Sequence, residues 1–213
     1  MISDAERAVA DAAKGFLPPL EAEALFDVAS AAAPHGPILE VGTYCGKSAV
    51  WLGAAARAHN SHVFTVDHHR GSEENQPGWE WHDPELVDPA SHRMDTLPFF
   101  RRTVAAAGLE DTVIAIVGKS ATVAALWSTP LAMVFIDGGH AVEHCKADYA
   151  GWARHVQPGG VLAIHDVFTD PADGGQAPYE HIYTPAIRDG FVEERHVGSL
   201  RVLRRPVLGR PRG

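Results

Sequence analysis

Asp137 and Asp166 fall at the ends of two apolar runs, LAMVFID (131–137) and GGVLAIHDV (159–167). If both runs are strands of one parallel sheet, the two carboxylates share a sheet edge, where like charges raise each other's pKa. A hard divalent cation is the simplest reason to bring them together. Mg²⁺ takes oxygen ligands, keeps several waters and leaves positions for a substrate hydroxyl. His165 directly precedes Asp166. An imidazole there is a poor ligand for Mg²⁺ and a better one for Zn²⁺, Mn²⁺ or Fe²⁺, and alternation along a strand can instead turn it into the core, so the favoured reading is Mg²⁺ on Asp137 and Asp166, completed by water or a loop group. His140 ends the segment DGGH, three residues after Asp137, and titrates in the range a general base needs. His144 follows one helical turn later, on the same face if the segment is helical, and is the alternative base. Both histidines have a plainer explanation as capping or surface residues, and with Asp137 they form a Zn²⁺ alternative that ranks below Mg²⁺.

Such groups need rigid elements behind them. Continuous apolar runs at 37–42, 62–67, 112–118, 131–137 and 159–167 read as strands, and the helical patterns at 47–58, 97–107, 121–127 and 141–155 read as the helices between them. Strands that are apolar throughout belong to parallel sheets covered on both faces. The strand–helix alternation predicts a doubly wound α/β sheet of Rossmann-like form. Residues 190–205 read as two strands around a His-Val-Gly-Ser turn, a C-terminal antiparallel hairpin. Residues 1–36 hold two alanine-rich helices, 3–14 and 20–33. The polar insert 68–96 and the Pro/Gly-rich loop 168–186 both follow carboxyl ends of strands, where open α/β sheets bind ligands.

The stretch ILEVGTYCGKSAV (38–50) joins the first strand to its helix. Gly42 allows a sharp turn, and Gly46 allows close approach of backbone and helix. The spacing is Gly-x-x-x-Gly, not the Gly-x-Gly-x-x-Gly that seats a pyrophosphate, and Glu40 would repel a diphosphate. These features disfavour a dinucleotide and a dehydrogenase. Asp67, at the end of the second strand, suits a ribose diol, and Glu40 suits the amino-acid portion or the sulfonium of S-adenosylmethionine.

The bulk properties narrow the field. The 213 residues suit a single domain, with 46% hydrophobic and 21% charged residues. A net charge of -9 argues against nucleic acid as a partner. No run is long and apolar enough for a membrane span. The N-terminus lacks the pattern of a signal peptide. The two cysteines, Cys45 and Cys145, form no disulfide framework, so a reduced, cytoplasmic protein is expected. Residues 206–213, with GRPRG at the end, read as a frayed tail.

ILEVGTYCGKSAV closely resembles the first motif of catechol-O-methyltransferase-like, class I S-adenosylmethionine-dependent methyltransferases. VGKS (117–120), LAMVFIDGGH and PGGVLAIHDV resemble further segments of that family, in order over about residues 37–170. The resemblance implies that Glu40, Gly42, Thr43, Gly46 and Ser48 line the methionine and ribose region. It implies that Asp67 holds the ribose and that Lys119 and Ser120 lie near adenine. Metal-dependent members carry acids at the positions of Asp137 and Asp166. Their further ligand often neighbours the second acid, and here those neighbours are His165 and Val167, an incomplete match. Catechol methyltransferases carry a lysine base where His140 stands. The resemblance also implies a homodimer.

The acceptor is less defined. Trp79 and Trp81, in QPGWEWHDPE, suit stacking on a sugar or an aromatic ring, or else simple lid packing. Glu73, Glu74, Asp83 and Glu85 disfavour a phosphorylated acceptor. The polar insert and the Asp-Gly-Gly-His motif resemble actinobacterial sugar- and antibiotic-tailoring O-methyltransferases, including the mycobacterial 1-O-methyltransferases of methylmannose polysaccharide synthesis. A small sugar acceptor is the expectation. A phenolic or catechol acceptor is the alternative, and a non-catalytic S-adenosylmethionine-binding protein is the alternative of another kind.

Overall fold

The computed structural model describes residues 2–207; the GRPRG tail lies outside the described residues. The chain opens with helix α1 (Asp4–Ala12), started by a capping box between Ser3 and Glu6, and helix α2 (Pro19–Ala32), started by prolines that fix the entry. Strand β1 (Ile38–Val41) leads through the glycine turn to α3 (Lys47–Arg57) and β2 (Val63–Asp67). The insert that follows is mostly irregular and holds a two-residue ladder of β3 (Val87–Asp88) and β4 (Arg93–Met94). Then come α4 (Leu97–Ala106), β5 (Val113–Val117), α5 (Ser120–Leu126), β6 (Leu131–Ile136), α6 (Val142–Trp152) and β7 (Val156–Ile164). The chain closes with α7 (Thr184–Arg188), β8 (Val192–Val197) and β9 (Leu200–Arg204).

The seven-stranded sheet runs in the order β5-β2-β1-β6-β7-β9-β8. The first five of these strands are parallel, and β9 pairs antiparallel with both β7 and β8. The expected sheet and hairpin are both present. Residues 179–188 differ from the expected Pro/Gly-rich loop: they form one turn of π-helix that runs without a break into α7, and Pro185, which has no N–H to give, stands inside that helical run just past the π-turn.

In the central strands β1, β6 and β7, successive residues point to opposite faces and are buried on both, whereas the edge strands β5 and β8 are largely exposed. Ile38, Met133, Phe135 and Val161 join one core cluster, with residues of α1–α4. Leu39, Val134, Ile136 and Leu162 join another, with residues of α5–α7. This two-sided burial is why the strands are apolar throughout. Each fully buried Leu or Ile contributes about 1.5–3 kcal/mol, enough to hold the carboxyl edge of the sheet rigid.

Candidate active site

Across the carboxyl edge runs a cavity of about 640 Å³. The turn after β1 forms its floor. Gly42 has φ +88, and a side-chain carbon there would stand 2.0 Å from the carbonyl oxygen of Asp137, so only glycine lets the turn pass the end of β6. Gly46 caps α3 in a left-handed conformation at φ +90 and backs onto Phe100 of α4. Asp67 organises this turn. Its Oδ2 accepts the backbone N–H groups of Thr43 at 3.0 Å and Tyr44 at 2.9 Å, and its Oδ1 accepts that of His69 at 2.7 Å.

Gly42, Thr43, Ser48, Asp67, Lys119 and Ser120 all border the cavity. Glu40 and Gly46 are not among the residues that border it. Strand alternation buries Glu40 completely. Its Oε2 accepts the Thr65 hydroxyl at 2.6 Å, while Oε1 takes no hydrogen bond among the described residues. Burial raises its carboxyl to about 7, against the nearby hydroxyls of Ser48 and Thr65. The Ser120 hydroxyl is already committed: it donates to Asp148 Oδ1 at 2.5 Å and accepts from Trp152 Nε1 at 2.8 Å. Burial raises Asp148 to about 6 despite that bond.

At the other end of the cavity stand Asp137, His140 and Asp166. Both acids lie just past their strands, and Asp166 has φ +54. His165 sits behind them, almost fully buried. Its Nδ1 lies 3.0 Å from Asp137 Oδ1 and 3.2 Å from Asp166 Oδ2, while its Nε2 lies 2.8 Å from Glu21 Oε2, off the ideal hydrogen-bond line. Burial would depress its pKa; the surrounding carboxylates outweigh that and hold it well above the usual histidine value. Glu21 also accepts the Ser199 N–H at 2.9 Å and its hydroxyl at 3.1 Å, so α2 fastens the hairpin turn to the site.

One ligand atom from each of Asp137, His165 and Asp166 lies within 4.8 Å of the others. A carboxylate behind one imidazole nitrogen, with the other nitrogen turned toward two acids, is how ligating histidines are commonly held. This donor set fits a divalent cation, and its nitrogen suits Mn²⁺ or Zn²⁺ at least as well as Mg²⁺.

His140 precedes α6 rather than belonging to it. The helical-face argument that paired it with His144 therefore fails, although His144 borders the cavity in its own right. His140 Nε2 lies 3.0 Å from Asp166 Oδ2, and Nδ1 lies 3.3 Å from Glu74 Oε1 of the insert. Burial alone would lower its pKa, but Asp166 and Glu74 raise it to about 10.

The insert closes the mouth. Lys14 bonds Asp83 and, at 2.7 Å, Glu85, which ties the insert to the α1–α2 linker and engages two of its acids. Trp81 meets Phe16 edge-on at 5.1 Å, Phe16 meets Tyr44 at 5.7 Å, and all three border the cavity. Trp79 is 54% exposed and lies outside the lining. Sequence reasoning missed Glu21, Glu74 as a partner of His140, Asp148 and Phe16. Each reaches the site through tertiary contact. Only the acidic insert and the GFLPPL break hinted at two of them.

An open sheet in this strand order, with a glycine turn after β1 and an acid at the end of β2, defines the Rossmann-like fold of class I methyltransferases. Residues 39–167 match a family described as a methyltransferase domain, and the chain belongs to that family. Among solved structures, it is similar to cofactor-bound Rv0187 from MTB, with 21% identity, TM-score 0.64, and coverage of 95% of this chain and 88% of that one. It is also similar to an O-methyltransferase from Bacillus cereus in complex with SAH, with 16% identity, TM-score 0.65, and coverage of 95% and 91%. A third similarity is to TomG from Streptomyces achromogenes, an O-methyltransferase involved in tomaymycin synthesis, in complex with SAM, with 16% identity, TM-score 0.64, and coverage of 95% and 90%.

Proposed function

We propose that the protein is an S-adenosylmethionine-dependent O-methyltransferase that methylates a hydroxyl of a small sugar or oligosaccharide. The observation that carries this reading is the single cavity that joins the glycine turn and Asp67 at one end to Asp137, His140 and Asp166 at the other. The donor-bound relatives of the same fold support it. The donor supplies an electrophilic methyl on a sulfonium, which passes in line to the acceptor oxygen while S-adenosylhomocysteine leaves.

Asp67 accepts the ribose hydroxyls and keeps the turn in place through Thr43 and Tyr44. The Thr43 and Ser48 region faces the methionine portion, and the turn at Lys119 and Ser120 faces the adenine. Asp137, Asp166 and His165 would hold a divalent cation, which would lower the pKa of an acceptor hydroxyl. His140 is the base. Glu74 holds its Nδ1 side so that Nε2 turns into the cavity. The ring accepts the hydroxyl proton at Nε2 in its neutral form, reached when Asp166 no longer bonds that nitrogen. His144 is the second candidate for this role. The aromatic wall of Phe16, Tyr44 and Trp81 offers flat apolar faces for a pyranose ring. A phenolic acceptor would use the same wall.

Incubation with methyl-labelled donor and a panel of free sugars, methyl mannosides and catechols, read by mass spectrometry, tests the proposal. Monomethylated sugar is the expected product. Transfer to catechols alone would move the acceptor class, and donor binding with no transfer to any hydroxyl would favour a binding protein.

A further inference from the structure

Asp148 lies on α6, is 5% exposed and has no part in the chemistry above, yet it borders the cavity. Its Oδ1 is satisfied by Ser120, whose hydroxyl is locked in direction by Trp152. Its Oδ2 takes no hydrogen bond among the described residues. That oxygen lies 3.0 Å from where a side-chain carbon at Gly138 would stand, so a glycine is what leaves the space beside it open. Oδ2 is not sealed in the core; it belongs to a side chain that borders the cavity, and the cavity is where a ligand can supply the donor that the protein does not.

The donor's own shape says which group arrives. With its ribose at Asp67, the sulfonium must extend toward Asp137 and His140. The base must therefore extend the other way, toward the β5–α5 turn. There Gly118, Lys119, Ser120 and Asp148 border the same cavity. Adenine presents an exocyclic amino group, a donor with two hydrogens. The carboxylate can accept from it, whereas the Ser120 hydroxyl is already committed.

We infer that Asp148 is a specificity-determining residue that accepts a hydrogen bond from the exocyclic amino group of the donor's adenine; this rests on the donor reading given above. Calorimetric titration with S-adenosylhomocysteine and with S-inosylhomocysteine, whose amino group is replaced by a carbonyl oxygen, tests it. Wild-type protein should prefer the adenosyl compound by roughly 10–100-fold, the range of one charge-assisted hydrogen bond. In Asp148→Asn the preference should collapse toward unity, because a carboxamide can present either its oxygen or its nitrogen. Asp148→Ala should lose both preference and affinity. Equal binding of the two compounds by wild-type protein overturns the inference whether or not the variants fold, and so does a wild-type preference retained in folded Asp148→Asn. Failure of wild-type protein to bind either compound overturns the donor reading itself.

Discussion

The two ends of the cavity are built by different means. The donor end is largely backbone, shaped by a glycine turn whose N–H groups converge on one carboxylate, Asp67, only 24 and 23 residues from its partners. The reaction end is side chains gathered from afar: Glu74 meets His140 across 66 residues, and Glu21 meets Ser199 across 178. The donor end is thus set by the order of strand, turn and helix, whereas the reaction end exists only when α2, the insert and the hairpin are docked. Changes at the first should alter binding locally, and changes at the second should alter turnover while leaving the donor in place.

The largest expected effect is at the reaction end. Stripping divalent metal with EDTA should abolish methyl transfer, and Mg²⁺ or Mn²⁺ should restore it. Full activity of stripped protein would remove Asp137, His165 and Asp166 from the role of ligands. Next, His140→Ala should lower turnover by about 10²–10⁴-fold, the worth of a positioned base, measured at saturating donor and metal. Near-normal turnover in His140→Ala, with a large loss in His144→Ala, would move the base to His144 in the first turn of α6.

A smaller effect concerns the buried acid beneath the donor end. Glu40 is raised from 4.5 to about 7 by burial, so the folded state binds a proton that the unfolded chain releases between those values. Its contribution to stability is fully present below about 4.5 and is lost as pH rises through about 7. Glu40→Gln should therefore lose less stability than wild type between about pH 5 and 8, by about 1–3 kcal/mol. Denaturant melts across that range would show it, and parallel curves would remove Glu40 as the cause. The smallest effect is expected from Trp81→Ala. The loss of one aromatic face should raise the acceptor KM by about 2–10-fold without changing donor affinity, and an unchanged KM would take Trp81 out of the acceptor wall.

The same contrast explains what could be read from the sequence. Runs buried on both faces have to be apolar throughout, so β1, β2, β6 and β7 were legible, as was the glycine turn that a strand-to-helix reversal demands; β5 was legible from its apolar run alone, since at the sheet edge Ile114 and Val117 are exposed. Asp137 and Asp166 were legible as a pair because adjacent parallel strands bring their ends together, whereas His165 could be read as facing either the acids or the core. Glu21 and Asp148 were not, since helix faces declare burial but not partners. The mistaken pairing of His140 with His144 has a physical reason as well. Ala141 is extended at the N-cap and α6 begins only at Val142, so the i, i+4 rule does not reach His140. The short π-helical turn and α7 were hidden by Pro185, which sits inside the helical run although proline more often ends a helix.

The central claim is that donor binding and proton removal are housed separately in one cavity. Titration of S-adenosylhomocysteine into wild type, Asp67→Ala and His140→Ala tests it most directly. The account predicts that His140→Ala binds as wild type does, while Asp67→Ala binds roughly 10–100-fold more weakly, through loss of its bonds to the ribose and to the turn. Equal affinity in Asp67→Ala, or a comparable loss in His140→Ala, would contradict it.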